Sequence, residues 1–273
     1  METLTLDGRR FHFLGEQRGG ARVYRGEDAY LRIGPYEAIE RDLGLHRAME
    51  KAKYPVAKII DDGELYEQRY FIESAVGDRS FRAIFQDDSD SAHGVTDDHF
   101  REFLELMKKL YTAQKRAAKG AWDTDEFAAG IRLPELCREL PVHAPAIRAR
   151  FEKAISRIAA LPRTITHGDC NPANMYHGGI IDLEDSFYGP LGYDVVSALM
   201  TIEWSPELRS YEFYAQYRFT EKQTQKYKAA FRGIAPHFDD FAFCRAVWLC
   251  SGMRKWPRIQ QWRFEKFIHE YLS

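Results

Sequence analysis

Three oxygen-bearing side chains that suit phosphoryl transfer lie close together in the middle of the chain. Asp169 stands in the run His-Gly-Asp-Cys-Asn-Pro-Ala-Asn, which Asn174 closes, and Asp182 follows eight positions later. Phosphoryl transfer needs an oriented hydroxyl, neutralised phosphate oxygens and a magnesium ion held by protein oxygens. A carboxylate can orient a hydroxyl and accept its proton, whereas an amide and a second carboxylate suit magnesium, which prefers hard oxygen ligands. The spacing therefore predicts a magnesium-dependent phosphoryl-transfer site.

The residues after this run predict how the second carboxylate returns to the first. Residues 175–176 and 180–181 are two short apolar segments, and His-Gly-Gly at 177–179 joins them in a pattern typical of a tight hairpin turn. Such a hairpin would bring Asp182 back beside Asn174. A His-Gly-Asp run alone is often only a turn, so the hairpin and the returning aspartate are what favour the functional interpretation.

The chain before the motif predicts a small β-rich region. Five strands and one helix follow in the order β-β-β-α-β-β. The strands are predicted at residues 11–15, 21–25, 29–33, 56–60 and 70–74, and the helix at residues 37–51.

The remainder predicts mostly helices. Thr96 or Asp97 caps a helix whose apolar residues recur at three- and four-residue spacing. Further helices are predicted at residues 145–160 and 194–202 and from residue 206 onward. The acidic, turn-rich residues 86–94 predict a surface loop.

Composition limits the classes of protein to which this chain can belong. Hydrophobic residues make up 45% and charged residues 29% of 273 residues, which is typical of a globular chain with a substantial core. The formal net charge of −2 gives no global electrostatic case for nucleic acid. We see no apolar run near the roughly 20 residues that span a bilayer, no apolar signal region in residues 1–10, and no CxxC pair among the four cysteines. We therefore expect a cytoplasmic protein with neither nucleic-acid nor membrane partners.

The central pattern, His-Gly-Asp-x4-Asn followed by two hydrophobic residues and Asp, resembles the signature of the aminoglycoside phosphotransferase and choline kinase superfamily. This resemblance covers residues 11–204. Residues 182–194 are more narrowly similar to bacterial N-acetylmuramate and N-acetylglucosamine kinases. The resemblance implies an α+β, two-lobed protein-kinase-like fold. A small antiparallel β-sheet lobe with one helix, residues 1–75, would bind the nucleotide, and a larger, mostly helical lobe, residues 76–273, would carry catalysis and the acceptor.

The same resemblance implies roles for the motif residues. Asp169 becomes the catalytic base or hydroxyl orienter, and Asn174 and Asp182 become the ligands of Mg²⁺, with ATP as co-substrate. His167 and Asp194 become structural supports that brace the loop and open the next helix. The roles of Glu184 and Asp185, which follow the metal aspartate, stay open.

The nucleotide side departs from the kinase pattern. Gly19 and Gly20 lie in a turn at residues 15–20 where a glycine-rich hairpin would cover the phosphates, but a full G-x-G-x-x-G is missing. Arg32 takes the place of the usual phosphate-binding lysine, and it keeps the charge with a longer, forked group. Glu40, with Glu37 nearby, is the candidate helix partner of Arg32.

Residues 70–77 resemble the hinge that receives adenine. By that match, the Ser74 carbonyl and the Ala75 N–H would make the adenine hydrogen bonds.

The sequence leaves the chemical identity of the phosphoryl acceptor open. Residues 201–273 carry more basic than acidic side chains, which favours a neutral or anionic acceptor over a polycation. Arg245, inside an apolar run, is the basic residue predicted to face inward and pair with another group. Four tryptophans offer either sugar stacking or ordinary core packing: Trp204, Trp248, Trp256 and Trp262.

Several functions remain compatible with these residues. A sugar or amino-sugar kinase is preferred, and an aminoglycoside or choline-type kinase and a non-catalytic nucleotide-binding regulator are alternatives. A protein kinase is disfavoured because no D-F-G or A-P-E sequence follows the motif. The choice between ATP and GTP and the oligomeric state are left open.

Overall fold

An antiparallel sheet forms the N-terminal part of the computed structural model, which describes residues 2–206, 215–251 and 256–273. Its strands lie in the order β1-β2-β3-β4-β6-β5. Helix α1, Tyr36–Lys51, connects β4 to β5. The strands are β1 Thr3–Leu6, β2 Arg9–Glu16, β3 Arg22–Arg25, β4 Ala29–Gly34, β5 Ile59–Leu65 and β6 Gln68–Ser74.

This sheet has one strand more than the sequence predicts. The extra strand, β1, pairs antiparallel with β2, with Thr3 opposite His12. The predicted strand at residues 56–60 begins later, since β5 starts at Ile59. The predicted order of the other elements, three strands, a helix and two strands, is confirmed.

Two small apolar clusters hold the sheet together. On one face, Phe11, Tyr24, Leu31 and Ile72 are buried together. On the other face, α1 packs through its buried residues against Phe71 and Ala21. Because side chains alternate across a strand, neighbouring residues of β6 contribute to different faces. The sheet is therefore covered on one side by α1.

The rest of the described chain is mainly helical and contains the largest core cluster. Its helices are α2 Phe81–Ala92, α3 Asp97–Ala117, α4 Thr124–Gly130, α5 Leu133–Glu139, α6 Ala144–Ile158, α7 Tyr193–Glu203, α8 Glu221–Ala230, α9 Phe238–Cys250 and α10 Pro257–Tyr271. Two short antiparallel pairs interrupt them: β7 Arg163–Thr166 with β10 Phe187–Pro190, and β8 Met175–Tyr176 with β9 Gly179–Ile180. The predicted two-part α+β architecture is confirmed.

Two local predictions need correction. Residues 86–94, predicted to be a loop, lie largely in α2, because Ser80 caps that helix and its Phe81 and Phe85 side chains are fully buried. The continuous helix expected from residue 206 is broken: residues 215–220 are not helical, and residues 207–214 and 252–255 lie outside the described residues. Within the ranges that are described, no helix is long and apolar enough to cross a membrane.

Candidate active site

Strand β7 leads directly into the loop that carries Asp169. The loop turns at Gly168, whose φ of 80° lies in the left-handed region. A Cβ atom at Gly168 would stand 1.9 Å from the carbonyl oxygen of Asp185, so only glycine permits this approach. The glycine therefore lets the Asp169 loop pack against the segment that follows Asp182.

Asp194, in the first turn of α7, holds the backbone of this loop. Its carboxylate accepts the N–H of His167 at 2.7 Å and the N–H of Gly168 at 3.3 Å. It also accepts a hydrogen bond from the side chain of Gln114 at 2.6 Å. Burial raises the pKa of Asp194, although His167 and these hydrogen bonds oppose the shift. His167 in turn donates from Nε2 to the Ile181 carbonyl at 2.8 Å. Both predicted supports thus lie against the loop.

Arg245 on α9 fixes the carboxylate of Asp169. The guanidinium is fully buried, and its Nη2 donates to Asp169 Oδ1 at 2.7 Å while Nη1 donates to the Gly168 carbonyl at 2.9 Å. Thr201 accepts from the same guanidinium at 2.8 Å. The predicted inward orientation of Arg245 is confirmed, and its partner is the predicted base itself.

The charge of Arg245 decides the ionisation of Asp169. Burial alone would raise the pKa of this carboxyl, but the Arg245 charge and hydrogen bond outweigh burial, and the pKa is lowered. Asp169 is thus held as a carboxylate, which is the form that can accept a proton.

Asn174 and Asp182 lie beside Asp169, as the hairpin predicts. Asn174 donates from Nδ2 to the Asp169 carbonyl at 3.1 Å and to its Oδ2 at 3.3 Å. The N–H of Ile181 donates to the Asn174 carbonyl at 3.0 Å, which ties the returning strand to the loop. Asp182 itself has a φ of 66°, an uncommon value for a residue with a side chain, and such strain is typical of functional sites.

The donor set fits a magnesium ion. Asn174 uses its amide nitrogen on Asp169, so its Oδ1 is the atom suited to a cation, and Asp182 adds carboxylate oxygens. Among the described residues no three His, Cys, Asp or Glu side chains form a ready-made metal cluster. In nucleotide sites magnesium takes one or two protein ligands, the number that Asn174 and Asp182 offer, and completes its octahedron with phosphate oxygens and water.

Arg32 pairs with a strand glutamate, which corrects the prediction that Glu40 is its partner. Arg32 Nε donates to Glu73 Oε1 at 3.0 Å, and both side chains are buried. Arg32 stands opposite Phe71 in the β4–β6 pair, so Glu73, two residues further on, lies on the same face. Glu40 instead accepts from Arg69 at 2.9 Å, and Glu37 is exposed.

The turn that contains Gly19 and Gly20 is tied to Arg32 and Asp182 through Gln17. Gln17 follows β2 and precedes a single 3-10 turn, Arg18–Gly20, in which Gly19 and Gly20 both have φ of 80°. Its side chain accepts from Arg32 Nη1 at 2.9 Å and donates to Asp182 Oδ1 at 3.0 Å. Sequence reasoning missed Gln17 and Glu73, because Glu73 reaches Arg32 through the β4–β6 register and Gln17 reaches Asp182 across 165 positions of the chain.

The predicted hinge contacts are only partly available. The N–H of Ala75 donates to the Asp28 carbonyl at 2.8 Å, so the prediction that it binds adenine is wrong for this conformation. The N–H of Ser74 donates to the Lys58 carbonyl at 2.9 Å. The role of the Ser74 carbonyl stays a prediction.

A cleft of about 290 Å³ opens in front of Asp169. Among the four tryptophans considered above, Trp248 lines it, but the guanidinium groups of Arg245 and Arg132 lie over its ring at 4.0 Å and 4.5 Å. Trp204 is buried and packs near Tyr271, as a core residue does.

Asp185, whose role was open, pairs with Arg132. Charged residues lining the cleft are Arg82, Arg132, Asp169, Asp182, Glu184, Asp185, Arg245 and Arg263.

Residues 8–227 match the model of the phosphotransferase enzyme family, APH. The chain belongs to this family. Among curated relatives, the N-acetylmuramate/N-acetylglucosamine kinase of Neisseria meningitidis serogroup B is 26% identical over 156 residues. That match covers 50% of this chain and 45% of that enzyme, so less than half of the relative's length is spanned.

Solved structures of phosphotransferases share the fold. A choline/ethanolamine kinase family protein from Mesorhizobium loti aligns with a TM-score of 0.54 and 14% identity over 94% of this chain and 86% of that one. The aminoglycoside phosphotransferase APH(3'')-Id from Streptomyces rimosus, in complex with ADP and streptomycin, aligns with a TM-score of 0.54 and 13% identity over 81% and 90%. The phosphotransferase family fold is therefore common to all of them.

Proposed function

We propose that this phosphotransferase family member is an ATP- and Mg²⁺-dependent small-molecule kinase that moves the γ-phosphoryl group to a hydroxyl of its acceptor. The observation that carries the proposal is the Asp169 carboxylate, held ionised by Arg245 at the wall of a cleft and touching Asn174. A carboxylate fixed in this way orients a hydroxyl and accepts its proton as the phosphoryl group leaves ATP.

The other motif residues take the roles that this reaction needs. Asn174 and Asp182 would hold Mg²⁺, which neutralises charge on the phosphate oxygens when bound. Arg32 would contact the phosphates with the guanidinium that Glu73 orients. Residues 1–75 would form the nucleotide-binding lobe, with Gly19, Gly20 and the Ser74 carbonyl near the nucleotide. Residues 76–273 would form the catalytic and acceptor-binding lobe.

We prefer a sugar or amino sugar as the acceptor. The partial match to the Neisseria enzyme supports this choice. The excess of basic over acidic side chains in residues 201–273 supports it too, because a basic segment disfavours a polycation. Aminoglycosides and choline-type alcohols are the acceptors that the structural neighbours suggest. We further propose a cytoplasmic location, since all four cysteines are buried free thiols.

The test is turnover by the purified chain with Mg-ATP and a panel of sugars, amino sugars, aminoglycosides and choline. We expect acceptor-dependent ADP release with at least one sugar. We expect Asp169→Asn to lower kcat by about 10²-fold or more while Mg-ADP binding persists. ADP binding without consumption of any acceptor, together with residual hydrolysis that Asp169→Asn leaves unchanged, would favour the non-catalytic regulator instead. Turnover of polycations alone would refute the sugar preference.

A further inference from the structure

Gln17 bridges the two charged groups that a magnesium nucleotide has to reach. Its amide oxygen accepts from Arg32 Nη1 at 2.9 Å, and its amide nitrogen donates to Asp182 Oδ1 at 3.0 Å. Arg32 Nη1 and Asp182 Oδ1 lie 3.9 Å apart, so the amide joins a cation and an anion that are nearly in direct contact. A neutral side chain thereby satisfies both charges at once.

The backbone around Gln17 holds this bridge in place. The N–H of Gln17 donates to the Ala21 carbonyl at 2.7 Å, and the N–H of Gly20 donates to the Gln17 carbonyl at 3.3 Å. A Cβ atom at Gly34 would stand 2.8 Å from the Ala21 Cα, so the turn lies directly against β4 because residue 34 is glycine. Gln17 is half-buried rather than free in solvent.

The bridge and a bound nucleotide compete for the same atoms. A phosphate on Arg32 Nη1 shares that nitrogen with the Gln17 oxygen, and a cation approaching Asp182 Oδ1 meets the hydrogens of the Gln17 amide. A phosphate and a divalent cation that occupy Arg32 Nη1 and Asp182 Oδ1 together therefore weaken or displace both Gln17 hydrogen bonds.

We propose that Gln17 is a latch that closes the glycine turn over the proposed phosphate and metal positions, Arg32 and Asp182, and opposes binding of the magnesium nucleotide. The proposal rests on the proposed function for the assignment of Arg32 and Asp182. Gln17 would lower the affinity for the nucleotide, whereas a residue that contacts the ligand raises it. Removing the latch tightens binding, because the variant has no hydrogen bonds to give up.

The test is calorimetric titration of Gln17→Ala and the wild type with Mg-ADP and, separately, with adenosine. We expect the Kd for Mg-ADP to fall by about three- to tenfold, the equivalent of one to two net hydrogen bonds. We expect the Kd for adenosine to stay within about twofold, because a nucleoside without phosphates leaves Arg32 and Asp182 bonded to Gln17. Glu16→Gln, at the exposed last residue of β2 next to Gln17, is the matched control and should bind both ligands like the wild type.

Other outcomes separate the latch from the proposed function. Unchanged or weaker Mg-ADP binding in Gln17→Ala refutes the latch, and so does equal tightening for Mg-ADP and adenosine. If Gln17→Ala does not fold, Gln17→Leu keeps the side-chain volume without the hydrogen bonds and is held to the same expectations. A wild-type chain that binds neither Mg-ADP nor adenosine refutes the nucleotide site itself and hence the proposed function.

Discussion

Arg32 obtains its counter-ion from its own sheet rather than from helix α1. The Glu73 carboxylate accepts from Arg32 Nε at 3.0 Å, and His46 Nδ1 lies 3.5 Å from the other oxygen of Glu73. Burial disfavours the charged guanidinium, but the charges of Glu73 and Asp182 outweigh burial and raise the pKa of Arg32. The arginine therefore stays charged and fixed in direction although it is nearly inaccessible to water.

The Arg32–Glu73 pair predicts different effects on Mg-ADP binding for two glutamate variants. Glu73→Gln removes the charge that orients Arg32, so we expect Mg-ADP to bind about tenfold more weakly, since a charge-assisted hydrogen bond becomes a neutral one. Glu40→Gln removes only a contact with Arg69 and should change the Kd by less than about twofold. Calorimetric titration measures both. Stronger weakening by Glu40→Gln than by Glu73→Gln would contradict the assignment.

Sequence reasoning reaches the residues of a loop better than their distant partners. A hairpin that could be predicted from residues 177–179 brings Asn174 and Asp182 beside Asp169. The inward turn of Arg245 was predicted from its apolar neighbours, but its partner was not, since nothing local relates α9 to the Asp169 loop. The Glu40 prediction failed because the partner of Arg32 depends on the β4–β6 register, which the sequence does not state.

At the scale of elements, the β8–β9 hairpin ties the helical part to the chain that enters it from the sheet. The N–H of Gly178 donates to the Val76 carbonyl at 2.9 Å, and the N–H of Ile180 donates to the Pro55 carbonyl at 2.7 Å. A Cβ atom at Gly178 would stand 2.4 Å from the Val76 oxygen. The hairpin that delivers Asp182 is thus anchored at both of the segments that flank β5 and β6.

Gly178→Ala should disturb this anchor. The added methyl group has to displace backbone atoms, so we expect the free energy of unfolding to fall by about 2–3 kcal/mol. Gly44→Ala is the matched control, because residue 44 is exposed in α1 with nothing within 4 Å of an added Cβ. It should stabilise the chain by about 0.5–1 kcal/mol. Urea unfolding measures both variants, and a Gly178→Ala chain as stable as the wild type would show that the hairpin tolerates displacement.

The elements that sequence reasoning misplaced have a common cause. Residues 86–94 look like a loop because they are polar, yet only one side of α2 is buried, so most of its surface is free to be acidic. Strand β1 was missed because it is only four residues long and is stabilised by pairing with β2 and by packing of Leu4 and Leu6 against the sheet's core. In both elements tertiary contact outweighs local composition.

At the scale of the whole molecule, stability depends on pH through buried carboxylates such as Asp88. This side chain, 6% exposed, accepts from the N–H of Thr96 at 2.9 Å and from its hydroxyl at 2.8 Å, at the start of α3. His99 Nδ1 lies 2.8 Å from the same oxygen. Burial would raise the pKa of Asp88, but these hydrogen bonds outweigh burial, and the pKa is lowered.

The sign of the pH dependence follows from that shift. A carboxyl with a lower pKa in the folded chain adds stability above its unfolded pKa of about 3.9 and loses this contribution as the pH falls through the folded pKa. We therefore expect Asp88→Asn to cost about 1–2 kcal/mol at pH 7 and progressively less below pH ~4. Asp87→Asn, at an exposed neighbour, is the control and should cost little at any pH. Urea unfolding over a pH series gives the comparison, and a cost for Asp88→Asn that is constant with pH would contradict the linkage.

The bond between Arg245 and Asp169 spans 76 positions of the chain. On a ribosome, the Asp169 loop leaves the exit tunnel well before α9 is synthesised, and its carboxylate lacks the Arg245 guanidinium during that interval. Contacts of such long sequence separation form late, because the intervening chain first loses its freedom. The appearance of turnover during translation would thus report the docking of α9, and the nascent chain would stay inactive while its sheet and the hairpin before Asp182 were already formed.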